Sequence, residues 1–364
     1  MPRKNENTAG NPGGFKNVLI TRFSAFGDVA MTIPVVYSVC RAYPKVNFIL
    51  ATRPSMTAMF VNPPANLNVV GIDLKEKYKG IAGLSRLSRD LCSLYSVDAF
   101  ADLHNVLRTK VLSVFMRMRK IATASLVKPR AKRKELTRKH NKILLPLVPQ
   151  SARYLEVFAR LGLPAALSFT SLYAGKASAA TSDFAKITKP KPKGIKWIGI
   201  APFAAHKGKI YPIHLMRQVV EKLPETLGPD IKVYLLGGGG KEQEILEQWE
   251  AQIPFVQSLA GKRYGFAAEL ALFNHLDAMI AMDSANMHLA AIAGTPTISI
   301  WGATHPYCGF KAWKQNEEST IQLPLSCRPC SVYGEKPCFR GDYLCLSAIR
   351  PDTIIAKITQ TLAK

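Results

Sequence analysis

No run of about 18 uncharged apolar residues occurs anywhere in the chain, so a membrane-spanning helix is not expected. The opening stretch, MPRKNENTAGNPGGF, has no apolar segment behind its basic residues; it reads as a loose tail over 1–15 and not as a secretory signal. Acidic residues are scarce. Only 25 Asp and Glu stand against 49 Lys and Arg, a formal net charge of +24. Such an excess predicts an anionic partner: nucleic acid, a phospholipid surface or a phosphorylated substrate. Charge alone does not choose among them. Cysteines are few as well, seven in 364 residues. In a chain expected to be cytoplasmic, at most peripheral on a membrane, they read as thiols or metal ligands and not as disulfides. Apolar residues are not lacking. At 48% hydrophobic and 20% charged the composition is that of a folded protein, and the length suits two domains.

Strands and helices alternate along the sequence. NVLITRF (17–23), NFILAT (47–52), NVVGID (68–73) and VDAFADL (97–103) are short apolar runs bounded by turn residues, the pattern of buried parallel strands. A helical pattern covers 29–43, and another covers 152–163. The segment 174–194 is small, polar and Pro-punctuated, which suits a linker. After it the alternation resumes with KWIGIAP (196–202), KVYLLGG (232–238), DAMIAMD (277–283) and TPTISIWG (295–302). The expectation is α/β: two Rossmann-like domains with an interdomain cleft, the first over 16–175, a linker over 176–194, the second over 195–350, and a C-terminal helix over 351–364 opened by Pro351 and Asp352.

In open α/β sheets the ligand crevice lies at the carboxyl ends of the strands. Asp28 sits just beyond the first strand, after Gly27, and suits either a helix start or a ligand contact. LLGGGGKEQEILEQW (235–249) runs strand, glycines, helix; Gly238 and Gly239 could offer backbone N–H groups to phosphate, or simply turn the chain. In DSANMH, Asp283 and Ser284 fall where a strand gives way to a helix, there to cap it or to hold ligand hydroxyls. His288 lies on the same helical face as Ser284 and suits packing as well as chemistry. The loop APFAAHKGKIYP offers Lys209 to a phosphate, or presents a solvated basic edge.

Taken together, NVLITRFSAFGDVAMTIPVVYSVCRAYP, KIYP and SLAGKRYGFAAELALFNHLDAMIAMDSANMHLAAIAGTPTISIWGAT resemble the ADP-heptose:lipopolysaccharide heptosyltransferases, glycosyltransferase family 9, over about residues 16–320. The resemblance implies the two-domain GT-B fold and inverting transfer of a heptose from an ADP-sugar to a lipopolysaccharide inner core. It makes Asp28 the general base and Lys209 the neutraliser of the donor diphosphate. Asp283 would hold sugar hydroxyls, with Ser284, Ala285 and His288 beside the donor phosphates. Ala285 departs from the family's usual Gly, and FAAHKGK lacks the hydroxyl residues of some members. Candidate acceptor contacts are Arg22, Ser24, Arg53 and Arg108. The sequence has no Asp-x-Asp triplet, so metal-independent transfer with no required cofactor is expected.

Two features stand beside that reading. Cys327, Cys330, Cys338 and Cys345 begin with a C-x-x-C knuckle and could hold a structural zinc, though the second pair is spaced too widely for a standard ribbon. Thiols packing a loop are the alternative. Eight of the fifteen residues 128–142 are Lys or Arg. Without interleaved aromatics they suit an anionic inner-leaflet surface and a lipid-linked saccharide acceptor better than nucleic acid. A sugar-nucleotide epimerase or hydrolase on the same fold, and a basic nucleic-acid-binding protein, are the rival functions.

Overall fold

The structure, a computed structural model, describes residues 13–175 and 178–363. The tail expected over 1–15 therefore lies almost wholly outside the described residues. The chain divides into two compact units, one from residues up to 128 together with 150–170, the other from 129–149 together with 171 onward.

In the first unit, β1 (Asn17–Thr21), β2 (Asn47–Thr52), β3 (Leu67–Gly71), β4 (Ala99–Asp102) and β5 (Ala122–Ser125) form one parallel sheet in the order β3-β2-β1-β4-β5. Between them lie α1 (Phe26–Ala30), α2 (Ile33–Ala42), α3 (Gly80–Tyr95) and α4 (Leu107–Met118). Helices cover both faces, so the central strands read as unbroken apolar runs and not as alternating ones. Val18, Leu19 and Ile20 are fully buried. Strand order reverses between β1 and β4, where Thr21 stands opposite Asp102. The helix expected over 29–43 is two helices, interrupted at Met31 and Thr32.

The second unit contains α5 (Arg130–Thr137), α7 (Ile213–Leu227), α8 (Lys241–Gln252), α9 (Phe266–Asn274), α10 (Ala285–Ala293), α11 (Leu344–Ser347) and α12 (Pro351–Leu362); α6 (Gln150–Arg160) belongs to the first. Its parallel sheet is built from β6 (Lys196–Ala201), β7 (Ile231–Leu235), β8 (Val256–Ser258), β9 (Ala278–Met282), β10 (Thr297–Ile300) and β11 (Thr320–Ile321), in the order β11-β10-β9-β6-β7-β8. Here the order reverses between β6 and β9. β5, β8 and β11 were not expected from sequence, being short and weakly apolar.

The domain boundaries differ from the expected ones. Residues 150–170 return to the first unit, where Ser38 Oγ accepts the Ser168 and Phe169 N–H groups at 3.0 Å and Tyr43 Oη donates to the Pro164 carbonyl at 2.7 Å. Residues 129–149 belong to the second. Lys142 Nζ donates to the Cys327 carbonyl at 2.7 Å, the Leu147 N–H to the Tyr307 carbonyl at 2.9 Å, and the Arg133 guanidinium lies over the rings of Phe310 and Tyr333. The stretch read as a linker is packed too: Phe184 is buried against Trp197 and His275. α12 is no appendage, since Ile354, Ile355 and Ile358 join the second unit's core.

Candidate active site

In the first unit the loops after β1 and β4 lie at the point where strand order reverses. Arg22, one residue beyond β1, is buried; its guanidinium contacts Asp28 Oδ2 at 2.7 Å and donates to the Leu103 carbonyl at 2.8 Å. The Ala25 N–H donates to the same Asp28 oxygen at 3.3 Å, so the carboxylate also closes the start of α1. Both contacts use Oδ2 of this carboxylate, which remains part-exposed. Arg22, expected to touch an acceptor, is instead a buried clamp on Asp28. Ser24 Oγ lies 3.4 Å from His104 Nε2. Arg53 and Arg108 are exposed at the same end of the sheet, on the loop after β2 and at the start of α4.

His104 was not anticipated. Burial, then the charges of Arg22 and Lys128, push its imidazole down to about 3, so it is neutral at ordinary pH. Its Nδ1 is buried without a hydrogen-bond partner. Nothing around His104 in the sequence marks it, because its neighbours Arg22 and Ser24 come from the loop after β1, about 80 residues earlier.

The second unit repeats the geometry with different parts. Lys209, on the loop after β6, reaches Asp283 Oδ2 across the strand-order reversal at 3.0 Å. Thr304, beyond β10, donates its hydroxyl to that oxygen at 2.8 Å. Asp283 and Thr304 are buried. Two glycines allow the approach. A Cβ on Gly302 would lie 2.6 Å from the Gly208 carbonyl oxygen, and one on Gly208 would lie 2.9 Å from the Ala303 Cβ. Arg328 holds the loop from below, donating to the carbonyls of Gly302, Leu323, Trp301 and Thr304. Ser284 Oγ, at the start of α10, is buried without a partner. His288 is buried one turn further along.

Beside α10 opens a cleft of about 400 Å³ lined by Gly238, Gly239, Gln243, Lys262, Arg263 and Asn286 among others. The Gly238 N–H donates to Glu242 Oε2 at 2.6 Å, so that group serves the start of α8 and is not offered to an anion. The cations at this cleft are Lys262 and Arg263, neither of which was assigned a role from sequence. Burial pushes the carboxyl of Glu269, also on the cleft wall, upward.

The sequence profile of glycosyltransferase family 9 (heptosyltransferase) matches residues 85–337. The chain belongs to this family. Lipooligosaccharide heptosyltransferase 2 of Campylobacter jejuni is 28% identical over 86 residues, 24% of this chain and 26% of that protein. The crystal structure of a family 9 glycosyltransferase from Veillonella parvula superposes with TM-score 0.70 at 18% identity, covering 96% of this chain and 97% of that one. That of E. coli heptosyltransferase WaaC with ADP superposes with TM-score 0.64 at 16% identity, covering 95% and 99%. The family 9 chain thus has the GT-B fold of heptosyltransferases, and among its described residues no helix is long and apolar enough to cross a membrane.

In this family 9 chain the four late cysteines line one small cavity of about 10 Å³. Cys330 Sγ lies 3.8 Å from the Ala303 carbonyl and Cys338 Sγ lies 3.9 Å from Asp342 Oδ1. Among the described residues no three His, Cys, Asp or Glu side chains are placed to hold a metal ion. As arranged here, Cys327, Cys330, Cys338 and Cys345 share a place but do not form a zinc ligand set.

Proposed function

We propose that the protein transfers a heptose, or a related sugar, from an ADP-sugar to a lipid-linked saccharide of the lipopolysaccharide inner-core kind, with inversion and without a metal. Asp28 takes the proton of the acceptor hydroxyl while the hydroxyl oxygen bonds to the anomeric carbon. The bond from that carbon to the diphosphate breaks as the new one forms, and ADP departs with the electron pair. Lys209, with Lys262 and Arg263 at the cleft, balances the charge that accumulates there. Asp283 holds donor hydroxyls, with Ser284 beside the donor phosphates.

The observation that carries this reading is the Lys209–Asp283–Thr304 cluster at the strand-order reversal, just before α10, whose Asn286 lines a cleft of nucleotide size. The absence of an Asp-x-Asp triplet from the sequence and the lysine and arginine of the cleft support charge balance without a metal.

Incubation with ADP-heptose, with and without a deacylated inner-core acceptor, tests it. ADP release that requires acceptor supports transfer. Release at the same rate without acceptor assigns the protein to nucleotide-sugar hydrolysis or epimerisation instead. No heat-stabilisation by ADP would overturn the donor assignment itself.

A further inference from the structure

α4 carries an apolar surface that the fold does not use. Its Thr109, Leu112, Ser113 and Met116 face the core. On the opposite side Leu107 is 80%, Val114 50% and Met118 74% exposed. At about 100° per residue these three fall within a narrow stripe together with part-buried Val111. Lys110 and Arg117 border the stripe on one side, Arg108 and Arg119 on the other. None of these four cations makes an ion pair among the described residues. The surrounding chain is equally one-sided, since residues 103–134 hold ten Lys or Arg and no Asp or Glu.

We propose that α4 is the membrane-docking element, lying in the headgroup region of an anionic bilayer with Leu107, Val114 and Met118 turned into it. A short helix with an apolar stripe between two rows of unpaired cations is the pattern that binds such a surface. Charge complementarity selects the bilayer over a protein partner, because each cation near anionic headgroups contributes independently of any fixed geometry. The segment 128–142, expected from sequence to make this contact, is less suited to it, as Arg133 is held over two aromatic rings and Lys142 holds a backbone carbonyl within the second unit. α4 also begins three residues after His104, at the end of the sheet that bears Asp28. A lipid-linked acceptor held at the bilayer would enter from that side; this last point rests on the transfer reaction proposed above.

The test is co-sedimentation of the full chain with phosphatidylcholine vesicles and with vesicles holding about 30% phosphatidylglycerol, at salt from about 50 to about 500 mM. The triple variant Leu107→Ser, Val114→Ser, Met118→Ser alters only exposed side chains. It should unfold at the wild-type temperature and bind the anionic vesicles about tenfold more weakly or worse. The pair Lys110→Gln, Arg117→Gln should weaken binding and flatten its salt dependence. A control triple, Ile143→Ser, Leu144→Ser, Leu145→Ser, removes the other exposed apolar run and should bind as wild type. Unchanged binding by the first triple, or equal loss by the control, overturns the assignment. So does binding to a single-stranded oligonucleotide that matches the vesicles and ignores the apolar substitutions, which would give the surface to nucleic acid. Heat-stabilisation by ADP is measured alongside. Failure of vesicle binding with the ADP response intact rejects the membrane role alone. Loss of the ADP response with vesicle binding intact rejects the donor reading alone.

Discussion

The two units place a carboxylate and a cation at the same topological point, yet they build the pair in opposite ways. In the first, Arg22 just after β1 and Asp28 in the first turn of α1 are six positions apart and meet within one strand-to-helix connection. In the second, Lys209 and Asp283 follow different strands, 74 positions apart, and meet only because β6 and β9 are neighbours. Asp28 remains part-exposed, whereas Asp283 is buried with two donors on one oxygen. The same side chain therefore suits proton transfer in one unit and fixed hydrogen bonding in the other. Water access decides the difference, because a buried carboxylate bound to a lysine is held as an acceptor and a part-exposed one can be reached by an incoming hydroxyl.

The sharpest way to break the comparison is to neutralise each carboxylate. Asp28→Asn should lower kcat for sugar transfer by about 10²–10⁴-fold, the usual worth of a general base, with ADP stabilisation unchanged. A loss of ADP binding in this variant instead would make Asp28 a donor contact and remove the contrast. Lys209→Ala leaves the Asp283 carboxylate buried without its ion. It should cost about 3 kcal/mol of stability by chemical denaturation and weaken ADP, and the added change Asp283→Asn should recover much of the stability because no charge is then stranded.

The proton balance of the first unit gives a smaller effect. His104 is pushed from 6.5 down to about 3 in the folded chain, so the unfolded chain binds the proton more readily. Stability is therefore lost as pH falls from about 6.5 towards about 3, by at most about 1.4 kcal/mol per unit for this group. His305, pushed down to about 4, adds the same sign. Denaturation midpoints across this range should show a shallower slope in His104→Gln. An unchanged slope would mean that His104 does not resist protonation. The smallest expected effect lies away from both sites. Arg133→Ala removes a guanidinium held over two rings and should cost about 1 kcal/mol, seen as a lower unfolding temperature.

The site could be read in part without the structure, and the parts divide on physical grounds. Asp28, Lys209, Asp283, Ser284 and His288 each follow a strand at the start of a loop or helix, so their position at the carboxyl edge is a local property of strand-then-turn sequence. Gly238 reads from sequence as part of a glycine turn, but its N–H is taken by Glu242, a choice that depends on a side-chain rotamer four residues on. No local pattern marks Lys262, Arg263 or His104, because nothing nearby in the sequence distinguishes a site residue from any other loop residue.

What the sequence by itself determined is the alternation of buried strands and helices, the two parallel sheets, the family, and the carboxylate at the end of β1. Those follow from apolar periodicity and from residues close together along the chain. Only the tertiary structure decided that Arg22 clamps Asp28 instead of meeting an acceptor, that 129–149 belongs to the second unit, that Asp283 is bound by Lys209 and Thr304, and that the apolar side of α4 is left uncovered. Each of these depends on which distant segments share a surface, and on how much water that surface admits. Neighbour order along a chain does not encode either.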